Sequence, residues 1–216
     1  VFEDVGQWKR PWYFPINKDE TMDEAVQRES KNVRENAGVL DGSTLGKIEI
    51  KGKDALAFMN LIYTNSFSKM KPGTSRYALM LGEDGMVKDD GIICKISDEH
   101  FIATTTTGGA ATVLGCMEEY AQTEWPNLNV YMNSITEQYA TFNISGPKTR
   151  NIIEKVFPEV NFSNEAFPFM TFQFHEYEDT PIRILRASFT GEMGYEIYVP
   201  SNQALKIWEK IINFGK

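Results

Sequence analysis

Two stretches of this chain place carboxylates where apolar side chains would be expected. The first is Gly85-Met86-Val87-Lys88-Asp89-Asp90-Gly91-Ile92-Ile93. Neighbouring residues of a strand face opposite sides, so one acid of the Asp89-Asp90 pair points to a covered face and the other to solvent. A carboxylate on the covered face is costly unless it has a partner or a chemical task. The plainer alternative is a solvated acid pair beside a turn. The second stretch is Ser188-Phe189-Thr190-Gly191-Glu192-Met193-Gly194-Tyr195-Glu196-Ile197. Glu196 sits between Tyr195 and Ile197, just after a glycine-bracketed turn. A bare carboxylate there can accept two parallel N–H bonds, the geometry of an amino-pyrimidine edge. Its plain alternative is an edge-strand glutamate.

Other chemistry is weakly supported. His100 and His175 stand alone, and Cys94 and Cys116 form no ligand pair, so the spacing predicts no metal site. No serine lies in a G-x-S-x-G turn. The run Thr104–Ala111 is a small-residue strand-to-helix turn whose amides can face an anion. It lacks the P-loop lysine and the G-x-G-x-x-G spacing, and reads first as a tight turn.

The elements that must hold these acids can be read from pattern. Phe2, Trp8, Pro11, Trp12, Tyr13, Phe14 and Pro15 make residues 1–20 an aromatic, proline-rich arm. It is extended past Trp8, and is either strapped over the core by its rings or open to a partner. Thr21-Met22-Asp23-Glu24 is a capping box, and the helix it opens is expected to close at Gly38. A strand at Leu45–Ile50 leads through Gly52 to a helix at Asp54–Tyr63. Strands follow at Tyr77–Leu81, Met86–Ile96 and Phe101–Thr106, then a helix to about Gln122 and a strand at Leu128–Met132. The second half repeats the plan. Tyr139–Ser145 is a strand, and Gly146-Pro147 opens a helix with proline at its first position. Strands at Thr171–Glu176, Ile182–Ala187 and Tyr195–Val199 precede a last helix capped by Ser201. Ile48-Glu49-Ile50-Lys51-Gly52 matches Phe142-Asn143-Ile144-Ser145-Gly146. Closely spaced strands imply antiparallel pairing, so the class is α+β: two ferredoxin-like halves with antiparallel sheets.

Composition sets the outer bounds. The chain has 216 residues, 42% of them hydrophobic and 24% charged, which excludes disorder. A net charge of −8 without a basic block argues against nucleic acid as a partner. No apolar run is long enough to span a membrane. Two cysteines in such a length fit a reducing compartment. The opening shows no signal pattern and does not begin with Met, so the chain reads as a piece of a longer cytoplasmic protein.

The two acid clusters, in this order, resemble the folate-binding aminomethyltransferase family, which includes the glycine-cleavage T-protein. Its Asp-Asp strand reads as Gly85-Met86-Val87-Lys88-Asp89-Asp90. Its T-G-Y-T-G-E-x-G-Y-E motif reads as Ala187 to Glu196, and its G-P turn as Gly146-Pro147. Gly6-Gln7-Trp8-Lys9-Arg10-Pro11, Gln122-Thr123-Glu124-Trp125-Pro126 and Ser134-Ile135-Thr136-Glu137-Gln138 are similar to the α-subunit branch of heterotetrameric sarcosine oxidases. The resemblance implies an aminomethyltransferase-like fold over residues 21–216, stopping before the family's later folate-holding arginine and its C-terminal barrel, which is therefore expected to be absent. It implies Asp89 as the catalytic aspartate and Glu196 as the pterin-holding glutamate. Leu45, Tyr77, Thr106 and Phe189 would line the folate pocket, with Thr106 replacing an Asn and Phe189 a Tyr. Tetrahydrofolate would be bound by this part, with flavin (FAD, FMN) and NAD elsewhere in the assembled enzyme. Its partners would be a flavin-carrying β subunit and smaller subunits of a heterotetramer. The chemistry implied is transfer of the one-carbon unit of an imine, formed by sarcosine oxidation, to tetrahydrofolate.

Overall fold

The structure, a computed structural model, describes residues Val1–Lys216. It comprises two compact units: a discontinuous one, Val1–Thr44 with Gln138–Lys216, and a continuous one, Leu45–Glu137. No helix is long and apolar enough to cross a membrane.

The N-terminal arm is a paired hairpin rather than a plain extended strand. β1 (Phe2–Val5) and β2 (Trp8–Pro11) are antiparallel, turning at Gly6 with φ +60°, where glycine adopts the left-handed region without a Cβ penalty. Its rings are not tucked inward: Phe2, Trp12 and Phe14 are all exposed. Polar latches hold it instead. The Phe14 amide donates to Glu29 Oε1 at 2.8 Å, and Arg28 Nη2 donates to the Phe14 carbonyl at 2.6 Å. Both latch residues lie on α1 (Met22–Glu35), which starts at the capping box Thr21–Glu24. The helix ends at Asn36, earlier than expected. Gly38 opens β3 (Gly38–Asp41) instead of closing the helix, because this short segment pairs with a strand from the far half of the chain, a partner no local pattern announces.

The continuous unit runs β4 (Gly46–Lys51), α2 (Ala55–Ile62), β5 (Thr74–Leu81), β6 (Val87–Ser97), β7 (His100–Thr105), α3 (Ala110–Thr123) and β8 (Tyr131–Ser134). Its sheet order is β5-β6-β7-β4-β8, antiparallel throughout. Phe58, Met59 and Ile62 of α2 and Val113 and Met117 of α3 pack on Ile48, Ile50, Met80, Ile93 and Phe101 of the sheet. Each such buried side chain contributes about 1.5–3 kcal/mol. The strand expected at Leu128–Met132 begins at Tyr131, later than its apolar residues suggest.

In the discontinuous unit the chain resumes with β9 (Tyr139–Ser145), α4 (Thr149–Val156), β10 (Phe172–Tyr177), β11 (Thr180–Leu185), β12 (Gly194–Pro200) and α5 (Ala204–Gly215). The order is β10-β11-β12-β9-β3. Pro147 precedes the first helical residue of α4, whose N-cap is Lys148, so it ends the turn rather than filling the expected first helical position. A short 3₁₀ turn, Ser201–Gln203, stands where Ser201 was expected to cap α5.

Both sheets therefore share one order: a three-strand antiparallel meander whose last strand pairs with the strand before the first helix, and a further strand at that strand's outer edge. The ferredoxin-like order expected for each half would instead set the middle strand of the meander beside it, but the third hairpin strand takes that place. The mixed α+β class with antiparallel sheets and no closed barrel is what the sequence predicts. The edge strand beside the first strand is reached differently. In the continuous unit β8 follows α3, whereas in the discontinuous unit the same place is taken by β3, from the N-terminal segment.

Candidate functional site

Asp89 and Asp90 separate as strand alternation requires. Asp89 is 6% exposed and Asp90 is exposed. Asp89 pairs with Met80 and so lies on the face that α2 and α3 cover. Between Met80 and Leu81 the register shifts, leaving Lys88 as an extra residue. Such a bulge re-aims the side chain beside it. The Asp89 carboxylate meets the turn from β7 into α3, where the Thr106 amide donates to Oδ1 at 3.4 Å and Oδ2 at 3.2 Å. The Thr106 hydroxyl in turn accepts from the Gly109 amide at 3.0 Å. The approach is close: a Cβ on Gly109 would stand 2.5 Å from Asp89 Oδ2, so any larger residue there would displace the carboxylate. The small-residue turn Thr104–Ala111 thus faces an anion belonging to the protein itself.

Tyr63, at the end of α2, is buried near this carboxylate. Burial, and secondarily the Asp89 charge, push its hydroxyl pKa far up, so it stays a neutral phenol. Tyr63 was not among the predicted site residues. At the boundary of an apolar helix it reads as one more core ring.

Glu196 lies on β12, where Tyr195, Ile197 and Val199 face the helix-side core and Glu196 and Tyr198 face the other way. That second face is also closed, for Glu196 is 8% exposed and Tyr198 1%. The carboxylate accepts from Tyr198 Oη at 2.5 Å and from Asn143 Nδ2 at 3.5 Å. Ser145 donates to Asn143 Oδ1 at 2.6 Å, which fixes the amide with its NH₂ toward Glu196. Arg183 stacks on the Tyr198 ring at 4.0 Å. Tyr198, Asn143 and Arg183 escaped the sequence reading, although the two-residue step from Glu196 to Tyr198 already puts them on one face.

The remaining predicted residues divide between the units. In the continuous unit, Thr106 meets Asp89 directly. Half-buried Leu45 precedes Gly46, the partner of Thr105, and so lies at the same end of the β4–β7 pair. Tyr77 is different. It pairs with Ile92 and is turned to the face opposite Asp89, 47% exposed. In the discontinuous unit, Phe189 is 82% exposed and lines a cavity of about 340 Å³ that also includes Asn143, the donor to Glu196. Neither Cys94 nor Cys116 is in a disulfide.

Two sheets of one order, each carrying a buried carboxylate with hydrogen-bond partners, define a duplicated α+β domain built around acids. The GCVT N-terminal domain family model matches residues 1–216, the whole chain, and the chain belongs to that family. Among its relatives, sarcosine oxidase subunit alpha of Corynebacterium sp. (strain U-96) is 50% identical over 216 residues, all of this chain and 22% of the relative. The subunit of the same name from Rhizobium meliloti (strain 1021) is 42% identical over 218 residues. An aminomethyltransferase of Alkaliphilus metalliredigens (strain QYMF) is 31% identical, matching 99% of this chain and 54% of its own length. The chain thus spans about one fifth of the oxidase subunits it matches, 22%, and about half of the aminomethyltransferase, 54%. In fold it resembles the glycine cleavage system aminomethyltransferase T from Bartonella henselae, with a TM-score of 0.80 at 23% identity, covering 98% of this chain and 53% of that one.

Proposed function

We propose that this chain is the folate-binding part of a sarcosine oxidase α subunit, passing the one-carbon unit of an imine to tetrahydrofolate. The observation that carries the reading is Glu196, a buried carboxylate that accepts from Tyr198 and Asn143 on the face of β12 turned away from the helices. The 50% identity to sarcosine oxidase α subunits over the whole chain supports the choice of enzyme. A flavin-carrying partner subunit of a heterotetramer would supply the imine.

Tetrahydrofolate, when bound, supplies two nitrogens that take up the methylene carbon while glycine leaves, giving 5,10-methylenetetrahydrofolate. The chain's own residues account for the rest. Glu196 receives the amino-pyrimidine edge in a pair of charge-assisted bonds. Asp89, largely out of water, stabilises positive charge on an iminium or accepts a proton from a nitrogen, and its field is little screened there. The Thr106 amide holds one side of that carboxylate and keeps its orientation. Holding both reactants together adds a proximity contribution. Leu45, Tyr77 and Phe189 are proposed to line the ligand.

Calorimetric titration of the complete protein with 5-formyltetrahydrofolate, a stable analogue, tests the reading. Saturating heat that disappears in Glu196→Ala, with the melting temperature retained, is the expected result. Equal binding by Glu196→Ala, or none by the wild type, would overturn it.

A further inference from the structure

The bulge that turns Asp89 also redirects Lys88. Strand alternation would set Lys88 on the face opposite Asp89. Lys88 is instead the unpaired residue of the bulge, between the pairs Leu81–Val87 and Met80–Asp89, and such a residue is freed from the alternation. Its side chain reaches the helix side, where Nζ donates to Cys116 Sγ at 3.3 Å. Cys116 lies on α3, about two turns beyond Gly109, so two consecutive residues of β6 both meet the same helix: Asp89 at its start and Lys88 along its flank.

A nucleophilic sulfur and a primary amine are thus held in contact, within reach of solvent. Lys88 is exposed and Cys116 half-buried, whereas Cys94 is buried. A thiol that solvent reaches is the one an oxidant finds first. Contact with the sulfur raises the Lys88 ammonium above its ordinary range, so the nitrogen keeps its proton while the thiol is reduced. Oxidation of the sulfur to an uncharged sulfenic acid removes that hold and leaves an amine touching an electrophilic sulfur. Contact of this kind takes the place of a high reactant concentration.

We infer that Cys116 and Lys88 form a reversible covalent bridge in response to peroxide, tying α3 to the bulge that aims Asp89. Peroxide transfers one oxygen to Sγ, giving the sulfenic acid and water; sulfur is oxidised by two electrons and the O–O bond is broken. Nζ then attacks Sγ. The S–N bond forms, the S–O bond breaks, and the departing hydroxyl leaves as water with a proton from the nitrogen. The product is a sulfenamide, which a dithiol returns to thiol and amine while itself becoming a disulfide. The two residues are 28 apart in sequence, so the bridge also restrains the unfolded chain. None of this depends on the folate reading above.

The complete protein carrying this chain is treated with hydrogen peroxide, with and without dimedone as a trap for sulfenic acid, then digested and mapped by mass spectrometry. The wild type should yield the Lys88 peptide joined to the Cys116 peptide with the loss of two hydrogens, and dithiothreitol should separate them unchanged. Lys88→Arg keeps a cation at that position but offers no primary amine. In that variant the joined peptide should vanish, and Cys116 should be captured by dimedone or pass on to the sulfinic acid. Peroxide should raise the melting temperature of the wild type and not that of Lys88→Arg, because only the wild type gains a cross-link. A wild type in which Cys116 stays reduced, or is oxidised with Lys88 unlinked, overturns the inference, as does equal dimedone labelling of the two proteins.

Discussion

The two units are the same sheet written twice, and their differences show where fold ends and chemistry begins. In each, the first strand ends in a glycine at an angle other residues rarely adopt: Gly52 at φ +135° and Gly146 at φ +130°. In each, a Cβ there would strike the backbone that enters the edge strand. The Asn129 carbonyl would lie at 2.2 Å from Gly52, and the Asn36 carbonyl at 2.5 Å from Gly146. The device is shared even though the edge strand comes from opposite directions in sequence. The hairpin turns after the outermost strands are not shared. Between β5 and β6 a glycine, Gly85 at φ +78°, takes the left-handed position; between β10 and β11 it is Glu178 and Asp179, at φ 47° and 61°. There Lys206 and Lys210 of α5 pair with Glu178, each at 2.5 Å. The acids differ most. Asp89 lies on the helix-covered face and takes its hydrogen bond from backbone, whereas Glu196 lies on the opposite face and takes its bonds from side chains. A repeated fold has been given non-repeated chemistry.

The strongest test of this comparison removes the shared device. Gly52→Ala and Gly146→Ala combine an unfavourable φ with a backbone collision, and each is expected to cost about 3 kcal/mol or more. Urea unfolding would read this as a similar loss from both variants. A Gly146→Ala protein as stable as the wild type would break the equivalence of the two units.

The next test concerns the acids. In the complete enzyme, Asp89→Asn keeps shape and removes charge. On the proposed function, oxidation of the amine is expected to continue at its normal rate, while 5,10-methylenetetrahydrofolate falls by about a hundredfold and formaldehyde rises in its place. Product analysis with and without tetrahydrofolate would show this, and an unchanged methylenetetrahydrofolate yield would remove Asp89 from the reaction.

The smallest effect separates the turns. Bonds from Lys206 and Lys210 hold the Glu178 carboxyl down to about 2, from 4.5. A depressed carboxylate contributes stability above its unfolded pKa and loses it as pH falls through the folded one. The wild type should therefore melt higher than Glu178→Gln at neutral pH, and the two curves should converge between pH 4.5 and 2. Because the group is fully exposed, the difference should be small and should shrink in salt. Parallel curves across that range would show that the lysines do not support the turn.

Much of this was legible in the chain itself, for stated reasons. The capping box at Thr21–Glu24, the turn at Glu83-Asp84-Gly85 and the alternation that divides Asp89 from Asp90 are local, set by neighbours within a few residues. The repeat was visible because the same strand-glycine-helix phrase occurs at Gly52 and at Gly146. What escaped depended on distant partners. Gly38 looked like a helix terminator and became a strand because β9, about a hundred residues later, offers its edge. The pairing of the arm into a hairpin and the exposure of its rings were not written in its prolines.

The site divides the same way. The sequence determined that Asp89 and Asp90 would face opposite sides of their strand, since neighbours along a strand alternate; that Asp89 is the covered one, and that Glu196 is buried, only the tertiary structure decided. Only the tertiary structure decided what those acids meet: the Thr106 amide and the close approach of Gly109 for one, Tyr198 and Asn143 for the other. It also decided that Tyr77 faces away from Asp89, and that the arm and the Phe189 loop border a single cavity. Periodicity is a property of neighbours along the chain, whereas a hydrogen-bond partner or a cavity wall is a property of neighbours in space.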